Sequence, residues 1–168
     1  GKTVETLAYL QLHQIRPALI VVPASLKINW EREARKWITY TLNIQRIKNG
    51  KIVDLTGDIV IINYDVLGKW VDILMNHKFQ VIIFDESHYL KNQKAQRTQH
   101  AQHIAEVVPK KILLTGTPIL NRPNEFFQQL RIINPAEFHD KAFFQFAKRY
   151  CDAKQVYVGG RKGYAWDF

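Results

Sequence analysis

The sequence predicts an α/β domain with a mostly parallel sheet, and two patterns carry that prediction. Four short runs, Ala18–Val22, Ile59–Ile62, Val81–Phe84 and Lys111–Leu114, are β-branched and apolar nearly throughout, without alternation. Strands read this way when helices cover both faces of a parallel sheet. Between the runs lie stretches whose apolar residues recur at helical spacing, and alternation of the two kinds of segment marks a sheet wound by helices.

The first helical stretch aligns Val4, Ala8, Leu12 and Ile15 on one face. The second follows Pro23-Ala24-Ser25 and aligns Leu26, Trp30, Ala34 and Trp37, with Ser25 placed to cap its N-terminus. Glu31 and Arg35 are spaced as a helical charge pair on its outer side. Further along, Ala101, Ile104, Ala105 and Val108 form a stripe, and Phe126, Leu130 and Ile133 form another beyond Pro123. Phe143, Phe146, Ala147 and Tyr150 form a last one, with Asp140 as its cap. These stripes read as core, and Trp30, Trp37 and Trp70 read as core or interface. The tail Gln155–Phe168 fits neither period and reads as a loop or hairpin.

The 168 residues suit one domain, and a hydrophobic fraction of 46% supplies its core. Lys and Arg total 24 against 15 Asp and Glu, a net charge of +9. That balance favours a polyanionic partner, nucleic acid before membrane, with a solvated basic surface as the plain alternative. No apolar run approaches the length of a membrane span. The single cysteine, Cys151, excludes an internal disulfide and a cysteine-based metal cluster.

Three motifs carry chemistry. Gly1-Lys2-Thr3 leads into the first helix like the end of a phosphate-binding loop, where a helix N-terminus offers free N–H groups and the positive end of its dipole. Lys2 would reach the β/γ-phosphates and Thr3 would hold Mg²⁺ through its hydroxyl. Asp85-Glu86-Ser87-His88 follows the apolar run Val81–Phe84, and the carboxyl ends of parallel strands are where such sheets bind ligands. Asp85 suits Mg²⁺, and Glu86 suits a general base acting on water. His88 reads as a residue coupling the nucleotide to its surroundings. With only His100 and His103 downstream, no zinc site is expected. Leu114-Thr115-Gly116-Thr117-Pro118 closes the fourth run, with Thr115 and Thr117 able to hydrogen-bond neighbouring loops.

This ordered set, together with Val22–Leu26, Trp30 and Ile62-Asn63-Tyr64, resembles helicase superfamily 2. The stretch Thr115–Asn121, followed by Glu125-Phe126, Leu130-Arg131 and Asn134–Phe138, is similar to the Swi/Snf-type (chromatin-remodeller) ATPases. Asp-Glu-Ser-His and Phe146–Lys154 resemble the annealing-helicase branch and its bacterial or phage relatives. The resemblance implies a three-layer P-loop NTPase (RecA-like) lobe over residues 1–154 that binds ATP and Mg²⁺. It implies Gly1, Lys2 and Thr3 as nucleotide contacts, Thr3 and Asp85 as metal residues, and Glu86 as the base. His88, Thr115 and Thr117 are then coupling residues. The resemblance also implies that Ser25, Lys27, Asn63 and Tyr64 are DNA contacts, since they fall in segments that contact the DNA backbone in relatives. Lys91, Lys94, Arg97, Lys110 and Lys111 are candidates for further phosphate contacts.

The implied partners are double-stranded DNA and a second RecA-like lobe of the same polypeptide. The implied setting is intracellular: the nucleus in a eukaryote, the cytoplasm in a bacterium or its phage. Against the complete family pattern the lobe reads as truncated at both ends. It lacks a first strand and most of the phosphate loop before Gly1, and a partner lobe after Phe168. On its own, this stretch is expected to show negligible ATPase activity and weak nucleotide affinity. A strand-separating helicase or restriction-system motor remains open beside the duplex translocase, and so does a non-catalytic nucleic-acid-binding module.

Overall fold

The computed structural model describes residues 1–40, 42–48, 52–117, 124–158 and 161–165. The β-branched runs form strands β1 (Ala18–Val22), β3 (Ile59–Asn63), β4 (Val81–Asp85) and β5 (Lys110–Leu114), with β2 (Ile44–Arg46) beside β3. They make one parallel sheet in the order β2-β3-β1-β4-β5. Every residue of β1, β3 and β4 is buried, while β5, at an edge, is only half covered. The three central strands are those with unbroken apolar sequence, since a strand in mid-sheet shows both faces to helices.

Among the described residues six α-helices accompany the strands: α1 (Lys2–His13), α2 (Lys27–Trp37), α3 (Leu67–Asn76), α4 (Gln96–Val107), α5 (Asn124–Ile133) and α6 (Asp140–Tyr150). Alternate strand residues feed two separate cores, as the two-residue period of a strand requires. On one face Ala18, Ile20, Val22, Ile61 and Ile83 pack with Leu7 and Leu10 of α1 and Trp30 and Ala34 of α2. On the other, Leu19, Val21, Val60, Ile82 and Phe84 pack with Leu67, Trp70 and Leu74 of α3 and Ala101 and Ile104 of α4. The result is three layers. Beyond α6, whose Phe143 and Phe146 gather around Ala147 and Cys151, strands β6 (Lys154–Val158) and β7 (Arg161–Ala165) form an antiparallel hairpin. None of the described helices is long and apolar enough to cross a membrane.

Several expected faces are corrected. Helix α1 turns Leu7 and Leu10 inward, while Leu12 is 79% exposed and Ala8 is exposed. The expected stripe relied on Ile15, but α1 ends at His13 with Gln14 in the left-handed region (φ 49°), so Ile15 is buried from outside the helix. Ser25 does not cap α2. The chain makes a 3₁₀ turn over Ala24–Leu26 first, and no side chain caps either element. Trp37, expected inside, is 41% exposed and donates its indole N–H to Glu33 Oε2 at 2.8 Å.

Helix α5 buries Phe127, Gln128, Gln129 and Ile132 rather than the expected stripe, and leaves Ile133 exposed. Hydrogen bonds hold the two glutamines inside, a force that a search for apolar stripes does not register. Asp140 opens α6 without capping it and pairs instead with Arg131, and Tyr150 is exposed. The expected stripe Ala101, Ile104, Ala105 and Val108 is buried in full, with Val108 one residue past the end of α4.

Candidate functional site

Because β1, β3, β4 and β5 run parallel, the segments after their carboxyl ends all meet along one edge. The three motifs that carry chemistry, as far as they are described, lie there or at the start of α1. Pro118, Ile119, Leu120, Asn121 and Pro123 fall outside the described residues.

Asp85 is the last residue of β4 and is buried. Its Oδ2 accepts the Trp30 indole N–H at 2.7 Å, its Oδ1 accepts the Glu86 N–H at 3.0 Å, and its carbonyl accepts the Tyr64 O–H at 2.7 Å. A carboxylate has about four acceptor positions, so one donor on each oxygen fixes the group and leaves acceptor capacity on both. Glu86 occupies the left-handed region at φ 50°, ψ 52°. For a residue with a side chain that costs roughly 1–3 kcal/mol. The bend turns the chain sharply from the strand into the 3₁₀ turn Ser87–Leu90.

Glu86 Oε2 lies 3.2 Å from His88 Nδ1, and the same nitrogen lies 3.5 Å from Thr115 Oγ1. Thr115 Oγ1 also accepts the N–H of Thr117 at 3.1 Å. Lys2 closes the group from the other side: a Cβ built on Gly116 would stand 3.7 Å from Lys2 Nζ. The start of α1, the turn after β4 and the turn after β5 are therefore neighbours. Gly1 precedes that helix, and its carbonyl accepts the Glu5 N–H at 3.1 Å. Thr3 is half-buried in the first turn, and the Thr6 hydroxyl bonds the Lys2 carbonyl at 2.9 Å. Chemically, this edge offers a cation and a helix N-terminus on one side and two carboxylates with an imidazole on the other.

A second group of expected residues lies beside β3. Lys27 Nζ donates to Asn63 Oδ1 at 2.8 Å and to the Ile47 carbonyl at 3.0 Å. Its burial, and then the neighbouring Arg46, lower its pKa from the usual lysine range, while Asp65 opposes them. Ser25 is exposed, but Asn63 and Tyr64 are 1% and 2% exposed. Those two side chains are turned inward, Tyr64 onto Asp85, so they brace the edge rather than present themselves to a ligand. Burial, followed by the charges of Asp85 and Glu86, holds the Tyr64 hydroxyl well above its usual pKa, which keeps it a donor. Lys91, one of the expected phosphate contacts, is tied to Glu125 at 3.2 Å.

Sequence reasoning missed three contacts: Trp30 to Asp85, Tyr64 to Asp85, and Ser87 to Gln129. The last joins two buried residues, with Ser87 Oγ donating to Gln129 Oε1 at 2.6 Å. Replacing Ser87 by Ala leaves a buried amide oxygen without this donor and is expected to cost about 1–3 kcal/mol. Chemical denaturation reads the loss, and adding Gln129→Leu is expected to recover part of it.

The model of the SNF2-related domain matches residues 1–156. The chain is 36% identical over 176 aligned residues to the DNA annealing helicase and endonuclease ZRANB3 of Bos taurus, an alignment covering 99% of this chain and 16% of that protein. It is 40% identical to a SWI/SNF-related matrix-associated actin-dependent regulator of chromatin subfamily A-like protein 1 homolog of Caenorhabditis elegans, covering 92% of this chain and 23% of that one. This stretch thus spans under a quarter of either relative. The Sulfolobus solfataricus SWI2/SNF2 ATPase core, solved in complex with dsDNA, shares its fold at a TM-score of 0.72 and 24% identity, covering 89% of this chain and 32% of that one.

Proposed function

The chain belongs to the SNF2-related domain family, and from that membership we propose that it is the ATP-binding lobe of a motor that hydrolyses ATP while moving along duplex DNA. One observation supports this reading above the rest. Lys2, Glu86, His88 and Thr115, drawn from three motifs, stand together at the carboxyl edge of one sheet.

In this reading Lys2 and the N–H groups opening α1 hold the ATP phosphates. Glu86 accepts a proton from the attacking water. His88, bridging Glu86 and Thr115, carries the state of that site to the turn after β5. The residues also suit Mg²⁺, which keeps most of its water and takes only one or two protein oxygens. Asp85 and the Thr3 hydroxyl fit that demand. Bound there, Mg²⁺ would neutralise charge on the β- and γ-phosphates. Among the described residues no cluster of three or more His, Cys, Asp or Glu is placed to hold a metal alone.

Duplex DNA would lie along the turns after β1 and β3, with Ser25 and Lys27 toward its backbone phosphates. The likeness to a DNA annealing helicase and the DNA in the Sulfolobus complex support that partner. A second lobe of the same polypeptide would supply cationic groups across the ATP. Lys2, Thr3, Asp85 and Glu86 together favour hydrolysis over a non-catalytic binding module.

The test is phosphate release by the complete protein with blunt duplex, single-stranded DNA or no DNA. Turnover is expected to rise with duplex and not with single strands. Stimulation by single strands alone would favour a strand-separating helicase instead.

A further inference from the structure

Trp30 occupies an unusual crossing point. Its ring is 1% exposed and packs in the core that contains Leu7 and Leu10 of α1. Its indole N–H reaches across 55 positions of sequence to Asp85 Oδ2, at 2.7 Å. The helix carrying it begins with Lys27, one turn earlier, whose ammonium is held by Asn63 and the Ile47 carbonyl. One residue therefore belongs to the helix that starts at the candidate DNA face, shares a core with α1, and bonds the acid at the end of β4.

The chemistry of this contact is specific. Indole is a donor only, so Trp30 always presents N–H to the carboxylate and fixes which oxygen faces the core. Helix α2 is a short rigid element, and a hydrogen bond of 2.7 Å is lost within about 1 Å of displacement. A phosphate that drew Lys27 away from Asn63 would act on the first residue of the same helix, three residues before the donor to Asp85.

We infer that Trp30 is a positioning residue: through its indole N–H it sets the Asp85 carboxylate for Mg²⁺ and relays occupancy at Ser25–Lys27 to it. The inference rests on the reading of this edge as an ATP site.

The test uses the complete protein in three forms: wild type, Trp30→Phe, and Trp30 replaced by benzothienylalanine. The last keeps the ring shape but has sulfur in place of N–H. Equilibrium binding of a fluorescent ATP analogue is titrated with Mg²⁺, without turnover, and phosphate release is compared with and without duplex DNA.

In both variants the Mg²⁺ concentration for half-maximal tight binding is expected to rise about tenfold, as loss of a group supporting a metal ligand does. Metal-free affinity should stay at the wild-type level, and stimulation by DNA should fall. The benzothienyl form should melt somewhat below wild type, since a buried carboxylate loses one donor, while its circular dichroism spectrum should match wild type. A benzothienyl form with wild-type Mg²⁺ dependence and stimulation would overturn the inference. So would one that loses affinity equally with and without Mg²⁺, because that marks damaged packing. If the wild type itself binds no nucleotide, the ATP-site reading fails instead.

Discussion

Replacing Glu86 by Gln in the complete protein is expected to lower DNA-stimulated phosphate release by about 10²–10⁴-fold, the usual worth of a general base. Nucleotide affinity should stay close to wild type. Glutamine has nearly the shape of glutamate, so the left-handed bend at φ 50° is kept, but its amide cannot take a proton from water. The His88 Nδ1 contact at 3.2 Å persists with an amide partner, so the link toward Thr115 is not broken at the same time. That separation makes the substitution informative. A loss of turnover with intact binding places Glu86 in the chemical step, whereas unchanged turnover removes it from that role.

The second large effect is expected at Lys2. Its ammonium is exposed at the first residue of α1 and points to the Gly116 turn. A charge-assisted hydrogen bond to phosphate contributes roughly 1.5–3 kcal/mol, so Lys2→Ala is expected to weaken ATP binding about ten- to a hundredfold. Little packing is removed by that change. The midpoint of chemical denaturation should therefore hold while the ATP titration shifts. Glu86→Gln and Lys2→Ala thus divide hydrolysis from binding at one edge of the sheet.

Much of this architecture was legible in the sequence for a simple reason. Strands β1, β3 and β4 are buried on both faces, so selection for burial writes them as unbroken runs of Ile, Val and Leu. Asp85-Glu86 stood out because it closes such a run, and Thr115-Gly116-Thr117 because it follows the apolar end of β5. What the sequence concealed was decided by polar contacts between distant segments. Gln128 and Gln129 turn inward because Gln102 and Ser87 meet them there, and nothing local to α5 announces those partners.

Trp30 read correctly as core, yet its bond to Asp85 joins residues with no common motif. Asn63 and Tyr64, expected toward DNA, turn their side chains inward onto Lys27 and Asp85. The short strand β2 escaped notice because three residues at a sheet edge leave no period to read. For α1, the phase was misjudged by a single residue beyond the helix end, Ile15, which is buried for another reason.

The central claim is that ATP phosphates sit between the start of α1 and the Glu86–His88–Thr115 group. An acyl-phosphate derivative of ATP tests it most directly, since it transfers its acyl group to whichever lysine lies against the phosphates. Applied to the complete protein and read by mass spectrometry, it is expected to label Lys2, and excess ATP should block that labelling. Acylation of Lys27, Lys69 or Lys94 in place of Lys2, or labelling of Lys2 that ATP does not suppress, would contradict the account.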